Sequence, residues 1–116
     1  MAEANPLAVG LAAFEARDFH AAHEAWEEVW RQMEAGHDRD ALQGLIQAAV
    51  ALHHLAQGNP VGARSVGDRA IARLTAAPSP WCGLRLRALG HALRSALDTG
   101  EVPLSLTGLL GGGTPG

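Results

Sequence analysis

The chain has 116 residues, of which 47% are hydrophobic and 18% are charged, and its formal net charge is −3 at pH 7. This length and balance predict one soluble globular domain and exclude a disordered chain. The small negative charge gives no reason to expect a nucleic acid or a membrane surface as partner. No run of roughly 18 apolar residues predicts a membrane span, and the N-terminus lacks the pattern of a signal peptide. The single cysteine, Cys82, excludes an internal disulfide and favours a reducing, cytoplasmic location.

Apolar periodicity and capping residues predict five helices, at residues 6–16, 19–35, 41–57, 60–76 and 84–98. Asp18 and Asn59 are suited to cap the second and fourth helices. Asp40 precedes the third helix, and Asp40-Ala-Leu-Gln43 has the form of a capping box. Gly100 is suited to end the fifth helix.

This order of elements predicts an all-α protein, a small bundle of about five helices. The segment that begins at Asp18 is followed by a similar one at Asn59, 41 residues later, which indicates two antiparallel, tetratricopeptide-like hairpins followed by a C-terminal helix. We expect a single helical domain over residues 1–100. Residues 101–116 are rich in glycine and predict an extended, mobile tail.

One face of the second helix combines large apolar side chains with a histidine. Phe19, His23, Trp26 and Trp30 follow the spacing i, i+4, i+7, i+11 and therefore share a face. We expect His23 to be buried among them, with Glu27 beside it on the flank. A buried imidazole costs free energy unless it is hydrogen-bonded, so His23 predicts a polar partner.

The third helix is apolar on most sides, which predicts a central position in the bundle. Gln43, Gln47, Val50 and His54 nevertheless follow one line along it. A polar line on a central helix is expected to face polar groups of a neighbour, and the preceding antiparallel helix offers His23. The two helices therefore predict a polar site between them.

The site allows two chemical interpretations. His23-Glu24-x-x-Glu27 resembles the first half of the zincin motif, although Glu27 stands where the second histidine is required. His23, Glu27 and His54 would then bind a divalent metal such as zinc, iron or manganese, with Glu24 as the base. In the other interpretation, His23 and Glu27 form a hydrogen-bonded pair that only stabilises the core, and Gln47 or His54 completes it.

Three motifs in order resemble the uncharacterised family called domain of unknown function 309. They are His23-Glu24-x-x-Glu27-x-x-Trp30, Leu42-Gln43-Gly44-Leu45-Ile46-Gln47 with Ala51-Leu52-His53-His54, and Gly58-Asn59-Pro60-x-Gly62-Ala63. The resemblance covers about residues 10–98 and implies a small all-helical protein, found mainly in prokaryotes, with no established activity. It marks as site residues His23, Glu24, Glu27, Trp30, Gln43, Gly44 and Gln47. It also marks a histidine at the end of the third helix, which is His54 or its neighbour His53.

These observations favour a non-catalytic binding or interaction module. A small polar ligand or a protein partner would be held by the His, Glu and Gln side chains against Trp26 and Trp30. A metal-dependent hydrolase using His23, Glu27 and His54 is the first alternative, and a divalent metal is its only implied cofactor. A purely structural homo-oligomer subunit is the second alternative.

Overall fold

The computed structural model describes residues 6–103, and the regular elements in this range are five α-helices. They are α1 (Pro6–Glu15), α2 (Phe19–Arg31), α3 (His37–Ala56), α4 (Pro60–Ala76) and α5 (Leu86–Thr99). The predicted all-α bundle of five helices is confirmed. The tetratricopeptide likeness of its hairpins and the domain limits stay predictions. Most of the predicted tail, residues 104–116, lies outside the described residues.

Three of the predicted helix ends are formed by the expected residues. The Asp18 carboxylate accepts a hydrogen bond from the backbone N–H of Ala21, with an oxygen–nitrogen distance of 3.1 Å. The Asn59 side chain accepts in the same way from the N–H of Gly62, at 3.0 Å. Gly100 ends α5 in the left-handed conformation, with φ of 79°. Both caps occupy N–H groups that have no partner within the helix.

The predicted capping box at Asp40 is wrong. Helix α3 begins at His37, four residues earlier than expected, and its N-cap is Gly36, which makes no side-chain hydrogen bond. Asp40 lies in the first turn, and its backbone N–H donates to the Gly36 carbonyl at 3.0 Å. Two carboxylates in this turn, those of Asp38 and Asp40, stabilise the positive end of the helix dipole without a capping box.

Helix α3 is the most deeply buried element. It packs against α2 on one side and α4 on the other, and it also contacts α5. Between residues 41 and 55 its side chains are buried except at Gln43, Gln47, Val50, His53 and His54. The predicted polar line is therefore the one open side of this helix, between α2 and α4. These side chains are only partly buried and reach solvent, so the polar line is open on this side of α3.

Trp26 packs toward α1 and away from the polar line. Its side chain is fully buried, and its indole N–H donates to the Leu7 carbonyl at 3.1 Å. Its ring lies 5.7 Å from that of Phe14, and its indole would collide with any Cβ added at Gly10. The expectation that Trp26 forms a wall for a ligand is therefore wrong, because α1 covers that face of α2.

The segment between α4 and α5 is tied to the beginning of α3. The indole N–H of Trp81 donates to the Asp38 carboxylate at 2.9 Å. After α5, the chain returns to the turn between α1 and α2, where the Arg17 guanidinium donates to the Pro103 carbonyl at 2.9 Å. None of the helices in residues 6–103 has both the length and the apolarity needed to cross a bilayer.

Candidate ligand-binding site

A pocket of about 160 Å³ lies where the beginning of α2 meets the end of α3. Because the two helices are antiparallel, residues some 30 positions apart in the chain line it together. The ring centroid of His20 lies 5.6 Å from that of His53 and 6.0 Å from that of His23. The lining residues are Phe19, His20, His23, Val50, His53 and His54, and we call this site the histidine pocket.

His23 lies at the rim of the histidine pocket and is not buried as expected. Its side chain is 26% exposed, and its Nε2 lies 3.5 Å from the Glu27 carboxylate. Glu27 also contacts the Arg31 guanidinium at 3.4 Å, which directs part of its charge away from the pocket. Glu24 forms a similar pair with His20, at 3.4 Å, on the exposed side of α2. Both histidines therefore have a carboxylate beside one ring nitrogen.

The third motif orients His54. The amide nitrogen of Asn59 lies 3.2 Å from His54 Nδ1, and the amide oxygen of Asn59 accepts from Gly62. Since that oxygen is engaged, the amide nitrogen is the donor and His54 Nδ1 is the acceptor, which leaves the ring proton on Nε2. A Cβ at position 62 would lie only 3.1 Å from His54 Nδ1, so glycine gives this ring its room.

The first part of the second motif, residues 42–47, contacts α4 on the other flank of α3. The Gln47 side-chain oxygen accepts from the Arg73 guanidinium at 3.2 Å. A Cβ built on Gly44 would lie 3.0 Å from the Cβ of Arg73, so glycine lets the two helices approach closely here. Gln43 lies one turn before Gln47 on the open side and is half-buried. The structure thus brings Gln47 to Arg73 and does not place it among the residues that line the histidine pocket.

Trp30 lies at the opposite end of α2 from the histidine pocket. The guanidinium carbon of Arg39 stacks 3.6 Å from the centre of its ring, and the Arg39 Nε donates to the Trp30 carbonyl at 3.3 Å. This cation–π contact joins the end of α2 to the beginning of α3. The indole nitrogen of Trp30 is buried and has no hydrogen-bond partner within residues 6–103.

In the described part of the chain the predicted metal ligands are not grouped as a metal site requires, although His23 and His54 line the same pocket. Within the described range 6–103, no group of three or more His, Cys, Asp or Glu side chains is placed to hold a metal ion. His23 and Glu27 are neighbours, but His54 Nδ1 is engaged by Asn59. The geometry therefore offers no support for a catalytic metal on His23, Glu27 and His54.

The sequence pattern leaves two contributors to these contacts open and gives no signal for a third. His20 fits either a solvated surface position or the edge of the site, and in the structure it is largely exposed and also lines the pocket; its spacing of three from His23 places the two on a shared side of α2. His53 and His54 were alternatives, and both line the pocket. Nothing in the sequence pattern pointed to Arg73, because its partner Gln47 lies 26 residues earlier on another helix.

The chain is similar to proteins of unknown activity. The family described as domain of unknown function (DUF309) matches residues 7–66, just over half of the chain, which include every lining residue of the histidine pocket. An uncharacterized protein of Aquifex aeolicus is 33% identical over 100 residues, which are 86% of this chain and 30% of that protein. This chain therefore spans about a third of that relative's length. No solved structure matches it significantly. On the family match, the chain belongs to the DUF309 family.

Proposed function

We propose that this chain is a non-catalytic binding module whose ligand occupies the histidine pocket. The observation that carries the proposal is the convergence of four of the six histidines of the chain on one solvent-reachable pocket. Sites that bind small molecules are concave and combine apolar walls with a few directed polar groups. Phe19 and Val50 supply the apolar part here.

The imidazoles offer both donors and acceptors to a small polar ligand. His54 carries its proton on Nε2, because Asn59 donates to its Nδ1. In His20 and His23 a carboxylate lies beside Nε2, which favours the proton on that nitrogen and leaves Nδ1 as the ring acceptor. A volume of about 160 Å³ suits a ligand of few heavy atoms. The ligand class that fits is therefore a small uncharged molecule with one donor and one acceptor, such as an amide.

The proposal is tested by following the histidine ring resonances by NMR. Acetamide is the probe, and acetate and methylammonium are the comparators that offer only an acceptor or only a donor. We expect the Hε1 signals of His20, His23, His53 and His54 to shift with acetamide, while that of exposed His91 stays unchanged. His53→Ala should weaken these shifts, and His91→Ala should not. Equal shifts at all histidines, or none in the pocket, would contradict the proposal.

The two alternatives have less support. The hydrolase would need a ligand set that residues 6–103 do not assemble. A structural homo-oligomer would need an apolar contact surface, and in the described part of the chain the large exposed hydrophobic residues are Val9 and Val61, on different helices. A cytoplasmic location is part of the proposal and is supported by the single cysteine.

A further inference from the structure

A second cavity, of about 300 Å³, lies between the beginning of α3 and the end of α4. It shares no lining residue with the histidine pocket. One part of its wall is apolar, formed by alanines and a proline, and the rest carries charged and polar side chains. The lining residues are His37, Asp40, Ala41, Ala72, Arg73, Ala76, Ala77 and Pro78. We call it the α3–α4 cavity.

Arg73 is held in place at the edge of the α3–α4 cavity. Its Cβ lies against α3 at the point where Gly44 removes a side chain, and one guanidinium nitrogen donates to Gln47. These two contacts restrict a side chain that is otherwise flexible. A guanidinium has five N–H donors, so the group keeps free donors for a further acceptor. Two residues of the second motif therefore position a cation beside a cavity.

Asp40 supplies the opposite charge to the same cavity. Its carboxylate makes no hydrogen bond or ion pair with any residue of the described range 6–103, and it forms no ion pair with Arg73. A cation and an anion that line one cavity without contacting each other leave room for a ligand that carries both charges. A simple anion would approach the Asp40 carboxylate unfavourably, and a simple cation would meet the same difficulty at Arg73.

We propose that the α3–α4 cavity binds a small α-amino acid as its zwitterion. Arg73 would pair with the ligand carboxylate, for which the planar guanidinium is suited, and Asp40 would pair with the ammonium group. The wall of Ala72, Ala76 and Pro78 would contact an apolar side chain. This site is independent of the histidine pocket, and Arg73 lies beyond the segment that matches the family.

The test compares L-valine with two analogues that each lack one charge. Isothermal titration calorimetry or NMR titration of the full chain would measure valine, 3-methylbutanoate, which lacks the ammonium group, and 2-methylpropylamine, which lacks the carboxylate. We expect valine to bind at least about tenfold more tightly than either analogue, the difference typical of a charge-assisted pair. Inorganic phosphate should not compete.

Two substitutions with matched controls assign the charges. Arg73→Gln should weaken valine binding at least about tenfold, whereas Arg69→Gln, an exposed arginine of the same helix outside the cavity, should not. Asp40→Asn should remove the preference for valine over 3-methylbutanoate, and Glu34→Gln, an exposed carboxylate outside the cavity, should preserve it.

Three results would overturn the inference. Equal affinity for valine and 3-methylbutanoate would show that the ammonium group is not recognised, and competition by phosphate would indicate a general anion site. Absence of valine binding to the folded chain would exclude the ligand class altogether. Should Arg73→Gln fail to fold, Asp40→Asn still decides the question. His53 lies outside the α3–α4 cavity and lines the histidine pocket. The effect of His53→Ala on the acetamide response therefore tests the histidine pocket alone, and valine binding tests the α3–α4 cavity alone. Failure of one proposal is thus distinguishable from failure of the other.

Discussion

Asn59 joins the stability of α4 to the orientation of His54, and two substitutions separate these roles. Its amide oxygen caps the helix at the Gly62 N–H, at 3.0 Å, and its amide nitrogen donates to His54 Nδ1, at 3.2 Å. Asn59→Ala removes both hydrogen bonds. Asn59→Asp keeps an oxygen for the cap but replaces the donor with a second oxygen. The first change should therefore affect stability and the ring, and the second should affect the ring alone.

The magnitudes follow from the two hydrogen bonds. Loss of an N-cap side chain to alanine costs about 1 kcal/mol, and the exposed bond to His54 adds about 0.5 kcal/mol. Asn59→Ala should thus lower the free energy of unfolding by about 1.5 kcal/mol, which corresponds to about 6–12 °C in the unfolding midpoint. Asp and Asn are comparable N-caps, so Asn59→Asp should stay within about 0.5 kcal/mol of the parent.

Urea unfolding measures the stability, and long-range ¹H–¹⁵N spectra of the histidine rings report the tautomer. In the parent chain His54 should carry its proton on Nε2. In Asn59→Asp the ring should carry a proton on Nδ1, because its neighbour is then an acceptor. Asp18→Ala, which removes the matching cap of α2, is the control that should lower stability without changing the His54 signals. A parent ring protonated on Nδ1, or one unaffected by Asn59→Asp, would contradict the assignment of Asn59 as the donor to His54.

Three further predictions concern other contacts. Gly44→Ala should lower the free energy of unfolding, measured in urea, by about 1 kcal/mol. The added Cβ would lie 3.0 Å from the Cβ of Arg73, and this crowding costs about 1–3 kcal/mol, whereas the better helix propensity of alanine returns about 1 kcal/mol. A more stable variant would contradict this. Partial burial, and then the Asp38 carboxylate, raise the pKa of the Cys82 thiol, so its thiolate fraction is reduced at mildly alkaline pH. Asp38→Asn should lower that pKa and speed alkylation by iodoacetamide; an unchanged rate would argue against the carboxylate. His23→Leu should change stability by less than about 1 kcal/mol, since its pair with a carboxylate is partly exposed, and a larger loss would mean that His23 is a core residue.

Local signals predicted the helices better than they predicted the site. The sequence predicts the caps Asp18 and Asn59 correctly because a cap depends on residues three positions apart. The predicted start of α3 is four residues late, since Asp40 fits a cap and a first-turn position equally well in sequence. The alignment of Gln43, Gln47 and His54 along α3 followed from helical periodicity, but periodicity does not say whether a polar line faces a neighbour or solvent.

The amino-acid pattern alone was sufficient for the all-α class, the number of helices and the grouping of polar residues on two of them, because these depend on contacts within a few residues. Which helix covers each face depends on the packing of whole helices and is visible only in the three-dimensional structure. Helix α1 covers Trp26, so no ligand reaches that ring. Antiparallel packing brings His20 to His53, and close approach of α4 brings Arg73 to Gln47. Such partners lie 26 or more residues apart in the chain, and their meeting depends on how whole helices pack rather than on any local preference.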